Sequence, residues 1–312
     1  MSDDRTDRAR DEVTFPGARP PDRRWRIDAG GIGIAAYEWG DPQAPPVLAV
    51  HGGFDFARTY DRFAPLIAAG GWRVVSWDQR GHGDSDRAQL YSFDADLRDA
   101  IAVFDDVSPG RPIPVIGHSK GGSMMIYIAD AQPHRIASFV NLDGVPYQSR
   151  IPDVAEHNRT KMIADEIAMW LDHRRRTASA LRKPGSLEEL AARRARMNTR
   201  LSPEWLRYLA SVGARHDEDG WRWKIDPTMR FGGFGPWRGE WAALCVPGLG
   251  MPFLAVMGRE MEEMSWGAAP ERVFGFLPPG GRCEILDVGH FVHIEAPETV
   301  AEMALDLIGR NE

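Results

Sequence analysis

One short segment of the chain carries the residue types of a nucleophilic site. Residues 117–121 read Gly-His-Ser-Lys-Gly and fit the pattern G-x-S-x-G around Ser119. An apolar run at 113–116 predicts a buried strand before this segment, and residues 122–130 predict a helix after it. A serine on the sharp turn between strand and helix projects above the sheet edge, and only small neighbours fit there. The helix N-terminus adds partial positive charge where an oxyanion would form. The sequence therefore predicts that Ser119 is a nucleophile.

Histidines supply candidates for the general base that a serine nucleophile needs. His290 follows a predicted strand and Gly289, and a neutral imidazole there could take the serine proton and return it to a leaving group. By residue type alone, His118, His82 and His293 compete with it. We expect the turn to fix His118, the loop at 78–85 to use His82 for its own stability, and His293 to pack on the final helix.

The elements that must position these residues alternate along the chain. Residues 24–30 and 32–39 predict a hairpin split by two glycines, and further strands are predicted at 46–50, 72–78, 113–116, 136–142, 251–257 and 282–286. Helical spacing of apolar residues separates most of them. This order predicts an α/β fold with a mostly parallel eight-stranded sheet and helices on both faces.

The alternation stops between the sixth and seventh strands. Residues 151–208 read only as helix, with an apolar stripe that includes Ile167 and Leu171, a capping box at Ser186 and an N-cap at Ser202. Residues 147–230 contain 17 Lys/Arg and 12 Asp/Glu, a balance of +5, whereas the whole chain carries −7. We therefore predict a disordered tail at 1–24, a core at 25–146 and 231–312, and an inserted helical cap at 147–230.

Bulk properties restrict the partners and the compartment. The net charge of −7 argues against a nucleic-acid partner, and no run of eighteen apolar residues predicts a transmembrane helix or a membrane partner. The two cysteines lack metal spacing and are interpreted as buried thiols in a reducing compartment, which favours a cytoplasmic location. No cofactor or metal is expected. A small-molecule substrate is expected, and a homodimer stays open.

Four separated motifs together resemble the α/β-hydrolase family, in its capped branch of esterases, haloalkane dehalogenases, epoxide hydrolases and carbon–carbon bond hydrolases. They are His-Gly-Gly at 51–53, the loop at 78–85, the serine turn at 117–121 and Gly-His at 289–290. The resemblance implies that His290 is the base and that the backbone N–H groups of Gly53 and Lys120 form an oxyanion hole. Lys120 is unusual beside a nucleophile; we expect its ammonium to reach solvent, although it could hold a substrate carboxylate.

The acid of the expected triad departs from the family pattern. The usual aspartate position after the seventh strand is Met261, which cannot orient a histidine. Asp143 ends the sixth strand 24 residues after Ser119, and one helix plus one strand brings both to the same sheet edge. Some branches of the family keep their acid there. Glu260 and Glu262 are the alternatives, and Asp143 could instead be only a turn residue.

These observations favour a cofactor-independent serine hydrolase that cleaves a small to medium apolar carboxylic ester through an acyl-enzyme. A serine nucleophile speaks against dehalogenase and epoxide hydrolase chemistry, which use a carboxylate. The same triad could cleave a carbon–carbon bond or an amide, because fold alone does not settle the reaction. A ligand-binding protein on a hydrolase scaffold, with its catalysis lost, is the alternative of another class.

Overall fold

The computed structural model describes residues 13–146, 156–229, 241–260, 262 and 269–309. These residues form ten strands, numbered in chain order: β1 (Arg23–Asp28), β2 (Gly33–Trp39), β3 (Pro46–Val50), β4 (Arg73–Trp77), β5 (Ile113–His118), β6 (Ile136–Leu142), β7 (Ala214–Asp217), β8 (Gly220–Trp223), β9 (Phe253–Gly258) and β10 (Arg282–Leu286). Their α-helices are α1 (Ala64–Ala69), α2 (Phe93–Val107), α3 (Lys120–Ala131), α4 (Glu156–Thr177), α5 (Leu187–Ala195), α6 (Pro203–Gly213), α7 (Ala242–Cys245), α8 (Val292–Glu295) and α9 (Pro297–Ile308).

Eight strands form one twisted layer in the order β1-β2-β4-β3-β5-β6-β9-β10. Only the pairs β1/β2 and β2/β4 are antiparallel, and the remaining neighbours are parallel. Helices α2, α3 and α7 cover one face, and α1 and α9 cover the other. The α/β fold with a mostly parallel eight-stranded sheet, predicted from the sequence, is confirmed. The prediction was possible because parallel strands buried on both faces are apolar runs that alternate with helices.

The parallel strands place the chemistry at one edge of the sheet. β3, β5 and β6 are neighbours, and their carboxyl ends carry the 51–53 loop, Ser119 and Asp143. The loop with His290 follows β10. Ligand sites of open α/β sheets lie at the carboxyl ends of the strands, and this edge is where the candidate residues meet.

The segment between β6 and β9, predicted as a cap and called the cap below, contains α4, α5, α6 and a small β-sheet. The capping box of Ser186 with Glu189 and the N-cap of Ser202 are present as predicted. The described part of residues 151–208 contains helices, and beyond it β7 and β8 pair as an antiparallel hairpin that the prediction of a helical cap over 147–230 did not include. The predicted apolar stripe of α4 is not packed along its length, because Ile167 and Leu171 are exposed. Residues 147–155 and 230 lie outside the described residues, as do residues 231–240 of the predicted core.

The disordered tail predicted at 1–24 is wrong for the part that the structure describes. The ring of Phe15 packs edge-on against Trp205 of the cap, with ring centroids 4.9 Å apart. The backbone N–H of Arg19 donates to Asp61, and β1 already begins at Arg23. Apolar contact and main-chain hydrogen bonds thus hold this segment across the cap and core. Residues 1–12 of the predicted tail lie outside the described residues.

The cysteines are less buried than the sequence predicts, and the described helices bear on the expectation for membrane spans. Cys245 and Cys283 are free and half-buried rather than fully buried. Among the helices of the described segments, none has both the length and the apolar composition to cross a bilayer.

Candidate active site

The turn that carries Ser119 is built from close backbone contacts. Ser119 has φ 50° and ψ −121°, a conformation that is strained for a residue with a side chain. A Cβ on Gly117 would lie 2.8 Å from Gly122 Cα, and a Cβ on Gly121 would lie 2.6 Å from His51 O. Only glycine therefore lets β5, α3 and the end of β3 approach this closely. The packing holds Ser119 at the start of α3, with 7% of its surface exposed.

Ser119, His290 and Asp143 form a chain of hydrogen bonds. The Ser119 hydroxyl lies 2.8 Å from His290 Nε2, and His290 Nδ1 lies 2.5 Å from Asp143 Oδ2. The carboxylate can only accept, so Nδ1 carries the proton and Nε2 is left to accept from the serine. This tautomer is the one that a general base for Ser119 requires. All three side chains are buried.

Asp143 is held in place by its backbone as well as by His290. It has φ 46° and donates its N–H to Val256 O at 2.8 Å, which fixes the turn at the end of β6. Burial raises the pKa of the Asp143 carboxyl, and the hydrogen bond from His290 acts in the opposite direction. The structure thus brings Asp143, of the acids considered from the sequence, to the ring of His290.

The two alternative acids lie elsewhere in the same region. Glu260 is exposed and forms an ion pair with Arg200 at 3.9 Å. Glu262 accepts the backbone N–H of His290 at 2.9 Å, so its contact is with the main chain and not with the imidazole. Neither is placed to select the tautomer of His290.

The loop after β3 lies directly against the nucleophile. A Cβ on Gly52 would lie 3.1 Å from Ser119 Cβ. Two residues after Gly52, the backbone N–H of Phe54 donates to His82 Nε2 at 3.2 Å. Within the part of the chain that the structure describes, the backbone N–H groups of Gly53 and Lys120 donate to no protein acceptor. These two amides are therefore free to bind an oxyanion, as the family resemblance implies.

The ammonium of Lys120 is bound within the protein. It lies 2.6 Å from Asp96 Oδ2 and 2.9 Å from Gln79 Oε1, with its side chain only 20% exposed. The expectation that it reaches solvent is wrong, because Asp96 on α2 is near enough to pair with it. Its charge is already compensated, so a substrate carboxylate would have to compete with Asp96.

The three histidines that competed with His290 in the sequence make structural contacts. His118 Nε2–H donates to the backbone oxygen of His290 at 2.9 Å, and His82 accepts from Phe54. His293 is fully buried between Tyr60 and His118, with ring centroids at 5.0 and 4.5 Å. Burial is the main cause that lowers the pKa of His293 from 6.5 to about 3.

His293→Phe is expected to make the protein less sensitive to acid. The folded-state pKa of His293 lies below its unfolded value, so the unfolded chain binds a proton that the folded protein does not. The contribution of the neutral His293 to the free energy of unfolding is therefore fully present above pH 6.5 and is lost as the pH falls towards 3. At pH 5, protonation of His293 in the unfolded chain lowers the free energy of unfolding by about 2 kcal/mol. Urea unfolding at pH 7.5 and pH 5 would measure the difference, with His134→Phe, at an exposed site, as the control. An unchanged pH dependence in His293→Phe would contradict the prediction.

Of the two carboxylates that bind the backbone beside His290, Glu295 was missed in the sequence and Glu262 was considered only as the acid of the triad. Glu295 Oε1 accepts the N–H of Gly289 at 2.9 Å, and Glu262 accepts the next N–H, that of His290. Arg200 of the cap donates to the other oxygen of Glu295 at 2.9 Å. The position of Glu295 in the same short segment as His290 was the available signal. Nothing local in the sequence links Arg200 to that segment.

The fold and this site define an α/β hydrolase. The profile of the hydrolase family described as serine aminopeptidase, S33, matches residues 41–233, more than half of the chain. The chain belongs to this family. The thioesterase domain from the curacin biosynthetic pathway shares the fold with a TM-score of 0.75 and 22% identity, over 91% of this chain and 99% of that domain. An esterase of Mycobacterium tuberculosis does so with a TM-score of 0.67 and 20% identity, over 93% of both chains.

A closer relationship in sequence is confined to part of the chain. A serine hydrolase-like protein of Dictyostelium discoideum is 32% identical over 131 residues, which are 39% of this chain and 35% of that protein. The chain thus spans about a third of the length of this curated relative.

Proposed function

We propose that the protein is a cofactor-independent serine hydrolase that cleaves carboxylic esters of small to medium apolar molecules. The observation that carries the proposal is the hydrogen-bonded chain from Ser119 through His290 to Asp143, with 2.8 and 2.5 Å between the bonded atoms. The membership of the chain in a hydrolase family also supports this proposal.

The first half-reaction forms an acyl-enzyme. Ser119 Oγ attacks the carbonyl carbon while His290 Nε2 takes the hydroxyl proton, and the carbonyl oxygen becomes an oxyanion. The amides of Gly53 and Lys120 donate to it, and donors of this kind are worth about 3–4 kcal/mol each in the transition state. When the intermediate collapses, His290 passes its proton to the departing alkoxide, and the alcohol leaves.

The second half-reaction uses the same groups on water. His290 Nε2 takes a proton from a water molecule, whose oxygen attacks the acyl carbon, and Ser119 leaves with that proton. Asp143 keeps the Nδ1 proton in place and stabilises the imidazolium in both halves. The acid product carries a negative charge, and the pairing of Lys120 with Asp96 leaves no uncompensated ammonium there to retain it.

The pairing of Lys120 with Asp96 also supports an uncharged substrate. The cation nearest to the nucleophile in sequence, Lys120, is paired, and Ser119 itself is only 7% exposed. A charged ester would have to give up its hydration there, and Lys120, already paired with Asp96, would not compensate its charge. An apolar ester meets no such cost.

Labelling with a fluorophosphonate, followed by mass spectrometry of the labelled peptide, tests the nucleophile. Modification of Ser119 is expected, and no labelling at high probe concentration would favour a non-catalytic ligand-binding protein. A panel of p-nitrophenyl esters, the matching thioesters and aminoacyl p-nitroanilides then tests the bond. Esters are expected to be cleaved best, whereas a preference for the anilides would favour amide hydrolysis, as the description of the family suggests.

A further inference from the structure

One short piece of the cap touches both loops that would carry the catalytic groups. Residues 194–200, which we call the clamp segment, run from the end of α5 into the connection to α6. Arg194 at one end pairs with Asp55 of the loop after β3, at 3.0 Å. Arg200 at the other end pairs with Glu295 beyond β10, at 2.9 Å. Two separate ion pairs therefore join the cap to the loop after β3, which contains Gly53 and is called the oxyanion loop, and to the segment after β10, which contains His290 and is called the histidine loop.

The contact of Arg194 is buried on both sides. Its side chain is 10% exposed, and that of Asp55 is 1% exposed. The guanidinium also lies over the ring of Trp223, at 5.4 Å from its centroid. Asp55 is two residues after Gly53 and three after Gly52, which lies against Ser119, so a fixed Asp55 limits the movement of this loop. Removal of either partner would leave an uncompensated buried charge, so the pair restrains both side chains.

The contact of Arg200 continues through Glu295 to the residue before His290. Arg200 Nε donates to Glu295 Oε2, and Glu295 Oε1 accepts the N–H of Gly289 at 2.9 Å. The stem of Arg200 also lies over Gly289, because a Cβ there would be 2.7 Å from Arg200 Cδ. A side chain of the cap thus covers the backbone that sets the position of the imidazole.

The neighbouring part of the cap is held to the core as well. Tyr208 of α6 donates its hydroxyl to buried Asp61 at 2.5 Å. In contrast, Ile167, Met169 and Leu171 on α4 are exposed. The α5–α6 part of the cap is therefore fixed to the catalytic loops, and it does not have the contacts of a lid that swings away.

We propose that the clamp segment positions the catalytic machinery, with Arg200 as a positioning residue for His290 and Arg194 as one for the oxyanion loop. This proposal rests on the proposed function, and it assigns the cap a part in the reaction rate in addition to substrate selection. A small displacement of a catalytic group lowers the rate of the chemical step with little change in substrate binding. The clamp should therefore affect kcat more than KM.

The decisive comparison is Arg200→Gln against Arg207→Gln. Arg207 pairs with Glu188 at 2.8 Å within the cap, and both side chains are exposed, so the control loses an ion pair that touches neither loop. The rate of fluorophosphonate labelling of Ser119 is expected to fall roughly ten- to a hundredfold in Arg200→Gln and to stay unchanged in Arg207→Gln. On a p-nitrophenyl ester the loss should lie in kcat, and Arg200→Lys should recover part of it.

Two further variants separate positioning from a general loss of structure. Glu295→Gln keeps the acceptor for Gly289 but removes the ion pair, so the double variant with Arg200→Gln should label no more slowly than either single one. Arg194→Gln combined with Asp55→Asn removes both buried charges together and is expected to slow labelling about tenfold. Thermal unfolding of each variant checks that the fold is kept.

The outcomes distinguish the clamp from the proposed function. A wild type that labels normally, with Arg200→Gln labelling equally fast, would overturn the clamp and leave the proposed function standing. An effect on KM alone, or an equal loss in Arg207→Gln, would also overturn it. A wild type that the probe does not label would overturn the proposed function, and the clamp with it.

Discussion

Ser119→Ala is expected to lower the turnover of p-nitrophenyl esters by about six orders of magnitude while the protein stays folded. Without Oγ no acyl-enzyme can form, and what is left is the stabilisation of direct water attack by the Gly53 and Lys120 amides. Removal of one hydroxyl from a tight turn adds no atom to it, so the contacts of Gly117 and Gly121 persist. Steady-state hydrolysis together with thermal unfolding would measure both effects.

The same reasoning predicts the behaviour of His290→Ala and of the double variant. Members of a triad act as a unit, so the double variant should be little worse than either single one. Ser108→Ala is the matched control, because its hydroxyl only bonds Arg111 O at the far end of α2. Near-normal turnover in Ser119→Ala or His290→Ala would remove the proposed mechanism.

The arrangement of the sheet could be predicted because each strand carries its own signal. Runs such as 46–50 and 113–116 are apolar throughout, as expected of strands covered on both faces, and helices between them require parallel neighbours. That topology alone placed Ser119 and Asp143 on one edge. The sequence therefore placed Asp143 among three candidate acids for His290, and the structure brings Asp143 to that ring across 147 residues of the chain.

Contacts that depend on distant partners could not be predicted in this way. Phe15 lies among acids and arginines, and its packing partner Trp205 is 190 residues further along the chain, so composition indicated a disordered tail. Lys120 was expected to reach solvent because its own helix offers no acceptor, whereas Asp96 belongs to α2. In each case the decisive group comes from another element.

The cap hairpin was missed although a local signal existed. Glu218 and Asp219 form the turn between β7 and β8, and Gly220, the first residue of β8, has φ 128°, a conformation that favours glycine. An aspartate followed by a glycine is a recognised local signal for a turn. The surrounding helices and the four-residue length of each strand outweighed it.

Asp143→Asn should cost about four orders of magnitude in turnover, and it tests the assignment of the acid. Asparagine keeps the shape of the side chain, but its amide can offer an N–H to His290 Nδ1. The imidazole would then carry its proton on Nε2, where it cannot accept from Ser119. The 2.5 Å distance between Asp143 Oδ2 and His290 Nδ1 motivates this expectation.

Glu262→Gln and Glu260→Gln are the controls for this prediction. Glutamine at 262 keeps an oxygen for the backbone N–H of His290, so its loss should be less than about tenfold, since a neutral acceptor replaces a charged one. Glu260 is exposed and its ion pair with Arg200 is long, so Glu260→Gln should have almost no effect. Kinetics at pH 7.5 on one ester, with thermal unfolding as the check on folding, would rank the three. A large loss in Glu262→Gln with a mild one in Asp143→Asn would mean that the acid lies after β9, and that the contact of Asp143 with His290 only supports the turn.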